Sequence, residues 1–218
     1  MEIRRNPDAP ASLVAVINCG VGNLYSVRNA LTKLGAEFME ASGEVDLVKA
    51  QAIILPGVGA FPPAMNNLRS MGLDKALKRE VLEKRKPFLG ICLGMQLLAQ
   101  SSEEFGLTDG LGWIAGRVRR LPENGVRLPH VGWNIVTGRD PLMFERIPDG
   151  AHFYFDHSFH FACENGDCAA ISEYGSAFVA AVRSNNIWAT QFHPEKSQLY
   201  GLMLLRNFLN TVKAVEHA

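Results

Sequence analysis

Residues 84 to 100 read KRKPFLGICLGMQLLAQ, an apolar run that turns into a helix-like pattern with one cysteine held between two glycines. Gly90-Ile91-Cys92-Leu93-Gly94 has the G-x-nucleophile-x-G form of a nucleophile elbow, a strand-to-helix turn that keeps its nucleophile under backbone strain with the reactive atom exposed. A β-carbon at 90 or 94 would crowd so tight a turn, which is why both flanks are glycine. At a helix N-terminus, unpaired N–H groups and the helix dipole favour a thiolate over a thiol, a reason for cysteine rather than serine. The N–H of Leu93 would then face a developing oxyanion. Against this stands the commonest fate of a free cysteine, a small buried hydrophobe. The elbow alone does not choose between the two.

The segments around the turn share one grammar, a short apolar run followed by a glycine-containing turn and a stretch of helical period. SLVAVIN (12–18) predicts a strand, and Asn23 to Leu34 predicts a helix with Leu24, Val27, Leu31 and Leu34 on one face, closed by Gly35 as its C′ residue. AIIL (52–55) predicts a strand, and DKALKREVLEKRK (74–86) a helix that Pro87 cuts off before the strand PFLGI; its interleaved glutamates predict a solvated face. Short crossovers of this kind build a parallel sheet covered by helices. Beyond about residue 112, GRVRRL, GWNIV, HFYFDHSFHF, CAAIS, AFVAAVR and IWATQF read as hairpin strands, and SQLYGLMLLRNFLNTVKAV as a closing helix with Leu202, Leu205, Phe208 and Leu209 on one face. The expectation is an α/β fold: a mixed, mainly parallel central sheet flanked by helices, one domain over 1–218, with residues 1–11 a flexible extension.

Two further stretches supply what a thiol nucleophile needs. In WATQFHPEKS an apolar strand ends on His193-Pro194-Glu195. Residues two apart in an extended segment point the same way, so the imidazole can serve as base and the carboxylate as its orienting acceptor. Pro194 favours an extended backbone at His193. Read alone, HPE is a surface turn without chemistry; read with the elbow, it completes a triad. The loop Pro56-Gly57-Val58-Gly59-Ala60-Phe61 follows a strand and is small enough for the main chain to approach a ligand, at the carboxyl end where parallel sheets place their sites. It can supply a second oxyanion donor; its bland reading is a strand-to-helix turn.

Composition narrows the partners. Lys and Arg total 22, as do Asp and Glu, in 218 residues, so no net field points to nucleic acid or an anionic membrane surface. The apolar run LVAVI is too short for a signal peptide core or a membrane span, and a cytoplasmic protein is expected. Four cysteines at 19, 92, 163 and 168 are too sparse for a disulfide scaffold. His152, His157, His160, Cys163 and Cys168 lie close enough in sequence to suggest a metal site, but in a strand His152 and His160 face one way and His157 the other. No metal or cofactor is expected.

PGVGAF, LGICLGMQLL and QFHPEKS, in that order, resemble the triad-type, class I glutamine amidotransferases. GVGNLYSVRNAL, GLGWIAGRVRRL, PHVGWN and HFYFDHSFHF bring the resemblance, which covers roughly 14 to 212, to the glutaminase subunits of imidazole glycerol phosphate synthase. That resemblance implies a flavodoxin-like fold, a glutamine substrate, and a heterodimer with a (β/α)8 barrel synthase that uses the ammonia in histidine biosynthesis. It implies catalytic roles for Cys92, His193 and Glu195, and substrate-binding or oxyanion roles for Val58, Gly59, Leu93, Gln96, His157 and Ser158. Asn23, Trp133 and Lys196 match positions facing the barrel partner. Asn18-Cys19-Gly20 departs from the Asp-Tyr-Gly usual in the family, and Asp156 stands where it often has Val. Both bear on the acceptor reaction, so a paralogous subunit serving surface-sugar biosynthesis is the alternative. A γ-glutamyl hydrolase or peptidase on the same elbow, or a binding module with a dead site, are the readings from other classes.

Overall fold

The computed structural model describes residues 12–20, 23–163 and 166–215, so the expected extension at 1–11 lies outside the described residues. The chain opens with β1 (Leu13–Ile17), α1 (Leu24–Leu34), β2 (Glu37–Ala41), α2 (Glu44–Lys49) and β3 (Ala52–Gly57), followed by α3 (Phe61–Ser70), α4 (Leu73–Leu77), β4 (Phe88–Cys92) and α5 (Leu93–Gln96). Asn23 caps α1 by accepting from Ser26 N–H, and Gly35 closes it in the left-handed conformation at φ 70°, as its position at C′ requires. Nearly every residue of β1, β3 and β4 is buried, the signature of strands covered on both faces. Along β1, Val14 and Val16 point to one core and Ala15 and Ile17 to the other. Helices α2, α3 and α4 close over the second of these, and α1 over the first.

The second half contributes β5 (Ser101–Ser102), β6 (Thr108–Asp109), β7 (Gly116–Arg120), β8 (His130–Ile135), β9 (Thr137–Gly138), β10 (His152–His157), β11 (Phe159–Cys163), β12 (Cys168–Glu173), β13 (Ala177–Ser184), β14 (Ile187–Thr190) and α6 (Gln198–Val215). Helix α6 joins α1 on its face of the sheet through Leu204, Leu205 and Phe208. The main sheet runs β2-β1-β3-β4-β14-β13-β12-β9, parallel from β2 to β14 and antiparallel beyond. It is the mixed, mainly parallel sheet flanked by helices that the sequence predicts.

Three expectations are corrected. The hairpin runs do not all join one sheet: β8 and β10 form a separate ribbon, and β11-β7-β5-β6 a second small sheet. HFYFDHSFHF breaks at Ser158, whose carbonyl accepts from Leu121 N–H, so its two halves pair with different strands. The predicted helix over 74–86 is α4 followed by a π-helical turn at Lys78–Glu83. The wider turn accompanies an inward Glu80, buried between the ammonium groups of Lys84 and Lys86 at 2.7 Å each, so that face is not wholly solvated. Burial pushes the Glu80 carboxyl up, but the two lysines outweigh it and hold it below the usual carboxylate range.

Candidate active site

The site lies beyond the carboxyl ends of β3, β4 and β14, where an open α/β sheet leaves its crevice. In the β3–β4 ladder Gly57 stands opposite Cys92, so the loop that begins at Val58 starts beside the nucleophile. Cys92 has φ 54°, a left-handed conformation that costs a non-glycine residue about 1–3 kcal/mol and that its surroundings must impose. The imposing contacts are close: a β-carbon on Gly94 would stand 1.9 Å from the Leu55 carbonyl oxygen, and one on Gly90 would stand 2.7 Å from that of Gly94. The helix behind the elbow is only the single turn α5, shorter than the sequence pattern suggests, so little macrodipole acts on the sulfur. Local N–H groups and neighbouring side chains must govern it instead.

His193 follows β14 and is held on both sides. Its N–H donates to Tyr154 carbonyl oxygen at 2.9 Å, and its carbonyl accepts from the Ser197 hydroxyl at 2.6 Å, which in turn accepts from Tyr154 N–H at 3.0 Å. Its backbone is extended, but Pro194–Lys196 is a 3-10 turn, so Glu195 reaches the ring by a turn and not along a strand. The pair forms all the same: Nδ1 of His193 lies 2.8 Å from Oε1 of Glu195, with both side chains 2% exposed. This fixes the ring with Nε2 free, buried and without a hydrogen-bond partner. Burial alone would push the His193 pKa down, but the neighbouring Cys92 and Glu195 outweigh it and raise it to about 10. Cys92 is thus within electrostatic reach of the His193 ring.

A cleft of about 390 Å³ opens over Cys92, and Val58, Gly59, Leu93, Gln96, His157 and Ser158 all line it. The structure therefore brings together the residues selected from sequence for substrate and oxyanion contacts. His157 does so with its ring turned inward: Nδ1 lies 2.8 Å from the Phe159 carbonyl oxygen and Nε2 3.1 Å from His130 Nδ1. What position 157 can offer the cleft is main chain. His152 lies on the exposed face of β10 and His160 on a different sheet, and among the described residues no group of three or more His, Cys, Asp or Glu is placed to hold a metal ion.

Several residues here were not selected from sequence. Glu104 lines the cleft and accepts from Phe61 N–H at 2.8 Å, tying the end of the 56–61 loop to the cleft wall. Asp156 lines it too, with its carbonyl 3.9 Å from the Cys92 sulfur. Ser197 clamps His193, and Gln191, fully buried, places Nε2 3.6 Å from that sulfur. Ser197 and Gln191 flank the HPE triplet in the motif, a signal of proximity in sequence but not of contact.

Outside the cleft, β8 and β10 alternate strictly. His130, Phe153, Phe155 and His157 face inward, and Val131, Trp133 and Ile135 stand exposed opposite Asp156, Tyr154 and His152. Trp133 packs edge-on against Tyr154 at 6.2 Å, and the Lys196 ammonium lies 5.3 Å over the Tyr154 ring. Asn23 sits at the start of α1, which packs beside the 194–196 turn, and its side chain is engaged with Ser26. A thiol at a cleft lined by the 58–59 loop and Leu93, with a carboxylate-fixed imidazole buried within electrostatic reach of it, is equipped for acyl transfer through a covalent intermediate.

The model of the glutamine amidotransferase class-I family matches residues 15–212. The chain is 46% identical over 212 residues to imidazole glycerol phosphate synthase subunit HisH 2 of Vibrio vulnificus, covering 94% of this chain and 99% of that one. It is 46% identical over 199 residues to subunit HisH 1 of Campylobacter jejuni, covering 90% and 98%. Among solved structures, PurLQS from Thermotoga maritima superposes with a TM-score of 0.72 at 17% identity over 93% of this chain and 100% of that chain, a likeness of fold alone.

Proposed function

Because the chain belongs to the class-I glutamine amidotransferase family and groups there with the HisH subunits of imidazole glycerol phosphate synthase, we propose that it hydrolyses glutamine and passes the ammonia to a synthase partner in histidine biosynthesis. The observation that best supports the chemistry is the His193–Glu195 pair at 2.8 Å, buried beside a nucleophile held at φ 54°.

In this reading the Cys92 sulfur attacks the side-chain carboxamide carbon of glutamine. The carbonyl oxygen becomes an oxyanion facing the N–H groups of Leu93 and the Val58–Gly59 loop. His193 Nε2–H gives its proton to the departing nitrogen, the C–N bond breaks, and ammonia leaves a glutamyl thioester. Water, deprotonated by the now neutral His193, attacks the thioester; the C–S bond breaks, glutamate departs and the thiolate–imidazolium pair is restored. Glu195 holds Nδ1–H throughout, so Nε2 is the nitrogen that moves protons.

The partner is a (β/α)8 barrel synthase that makes imidazole glycerol phosphate and aminoimidazole carboxamide ribotide. It docks on the face formed by the exposed Trp133 with the half-buried Tyr154 and Lys196, with Asn23 at its edge; the apolar stripe of β8 supports this placement. Similarity to synthase subunits over 90% or more of the chain favours histidine biosynthesis over a surface-sugar paralogue. The test is to mix the chain with a competent barrel synthase and follow glutamine-dependent product formation. Product from ammonia but none from glutamine would overturn the assignment.

A further inference from the structure

Gln191 is fully buried between the nucleophile and Gln96, so its amide cannot exchange a lost partner for water. Their orientation follows from one group that can only accept, the carbonyl oxygen of Phe159. Gln96 Nε2 lies 2.8 Å from that oxygen and must therefore be the donor end of its amide. The same nitrogen lies 3.0 Å from Gln191 Oε1 and donates its second hydrogen there. With its oxygen so engaged, Gln191 turns its NH2 group toward Cys92 Sγ at 3.6 Å. Flipping Gln191 would oppose two NH2 groups at the first contact and press a carbonyl oxygen against the sulfur at the second.

The anchor is itself held from behind. His157 Nδ1–H donates to the Phe159 oxygen, which leaves Nε2 to accept from His130 Nδ1–H at 3.1 Å, and His130 Nε2 to accept from Asn134 at 3.3 Å. Burial keeps both rings neutral, so this arrangement persists at physiological pH. The sulfur's other close contact is the Asp156 carbonyl, an acceptor that favours the protonated thiol.

Resting on the reading of Cys92 as nucleophile, we infer that Gln191 is a hydrogen-bond donor to the reacting sulfur and that Gln96 and the Phe159 carbonyl are what dictate the direction of that donation. A donor to the charged form stabilises it, so Gln191 raises the thiolate fraction before attack and steadies the sulfur as it leaves the thioester. With α5 only one turn long, this amide and the His193 imidazolium do what a helix dipole does elsewhere.

The test is the rate of Cys92 alkylation by iodoacetamide in the full chain, resolved by mass spectrometry and followed against pH. A hydrogen bond to a charged group corresponds to about a tenfold effect, so Gln191→Leu should move the midpoint of the alkylation profile up by about one pH unit. Gln191→Glu, of equal size but lacking the donor, should move it further. Gln96→Met does not touch the sulfur and should still reproduce part of the shift by freeing Gln191 to rotate. Wild-type rates and midpoints in any folded Gln191 variant overturn the inference, as does a wild-type Cys92 that never alkylates. Since neither glutamine nor a partner is involved, loss of the glutaminase assignment would be seen separately.

Discussion

Gly94 packs its Cα hydrogen against the carbonyl oxygen of Leu55, so closely that a β-carbon would sit 1.9 Å from it. That contact is what folds the chain back over β3 and holds Cys92 at φ 54°. Backbone has no flexible end to yield, so Gly94→Ala is expected to cost about 3 kcal/mol by overpacking. Denaturant unfolding measures it, and a loss under 1 kcal/mol in that experiment would show that the elbow tolerates a side chain.

Gly59 is the opposite case. A β-carbon there meets nothing within 4 Å, yet φ is 103°, a conformation that L-residues rarely adopt. Gly59→Ala should leave the fold intact and misalign the Val58–Gly59 N–H groups. Removing one oxyanion donor lowers turnover about 100-fold or more. Steady-state glutaminase kinetics in the presence of the partner decide it: turnover within threefold of wild type would take this loop out of the oxyanion site.

The His193 pKa is raised to about 10, above 6.5 in the unfolded chain. The stability this contributes is fully present below pH 6.5 and is lost as pH rises through the folded value. Across the neutral range the ring is the imidazolium, the form the proposed mechanism needs to protonate a leaving nitrogen. Glu195→Gln removes one of the causes, so the alkaline limb of the activity profile should move to lower pH. His193→Ala should lose on the order of 100-fold to 10,000-fold in turnover while still binding glutamine. An alkaline limb unmoved by Glu195→Gln would deny the carboxylate its role.

His157 titrates the other way. Burial, with neighbouring histidines assisting, lowers its pKa to about 3, so the unfolded chain binds a proton first as the medium turns acid. Its contribution to stability is complete above pH 6.5 and falls away toward pH 3. The loss is about 2 kcal/mol between pH 6.5 and 5. Urea midpoints at those two values should differ less in His157→Gln than in wild type, and equal differences would place the acid sensitivity elsewhere.

From the family resemblance, glutaminase turnover is expected to be weak in the isolated chain and stimulated by the synthase partner with its ligand bound, the 56–61 loop being the segment proposed to complete the oxyanion site in the complex. Equal turnover with and without the partner removes this gating.

Much of this protein was legible in local chemistry. Gly90, Cys92 and Gly94 announce an elbow because the turn tolerates no β-carbon, and QFHPE names a base and its acceptor because they are neighbours in the chain. The apolar runs SLVAVIN, AIIL and PFLGI declare buried parallel strands in the same way, and the strands found there are Leu13–Ile17, Ala52–Gly57 and Phe88–Cys92. The hairpin region was less legible, since alternation tells which residues share a face but not which sheet receives them; the break at Ser158 sends β10 and β11 to different partners. Nor does a basic run reveal that one of its glutamates, Glu80, turns inward.

Sequence alone was enough to mark the Gly-x-Cys-x-Gly turn, the His-Pro-Glu triplet, the glycine loop and the family, because each of the three motifs is a run of covalently adjacent residues. Folding was needed to show that Gln191 donates to the sulfur, that His157 turns from the cleft toward His130, and that Ser197 ties the main chain of His193 to β10. The way the Gln191 amide faces is settled by Gln96 and Cys92, dozens of residues away in the chain, and the way the His157 ring faces by the nearby Phe159 carbonyl together with the more distant His130, contacts that form only when the chain has folded.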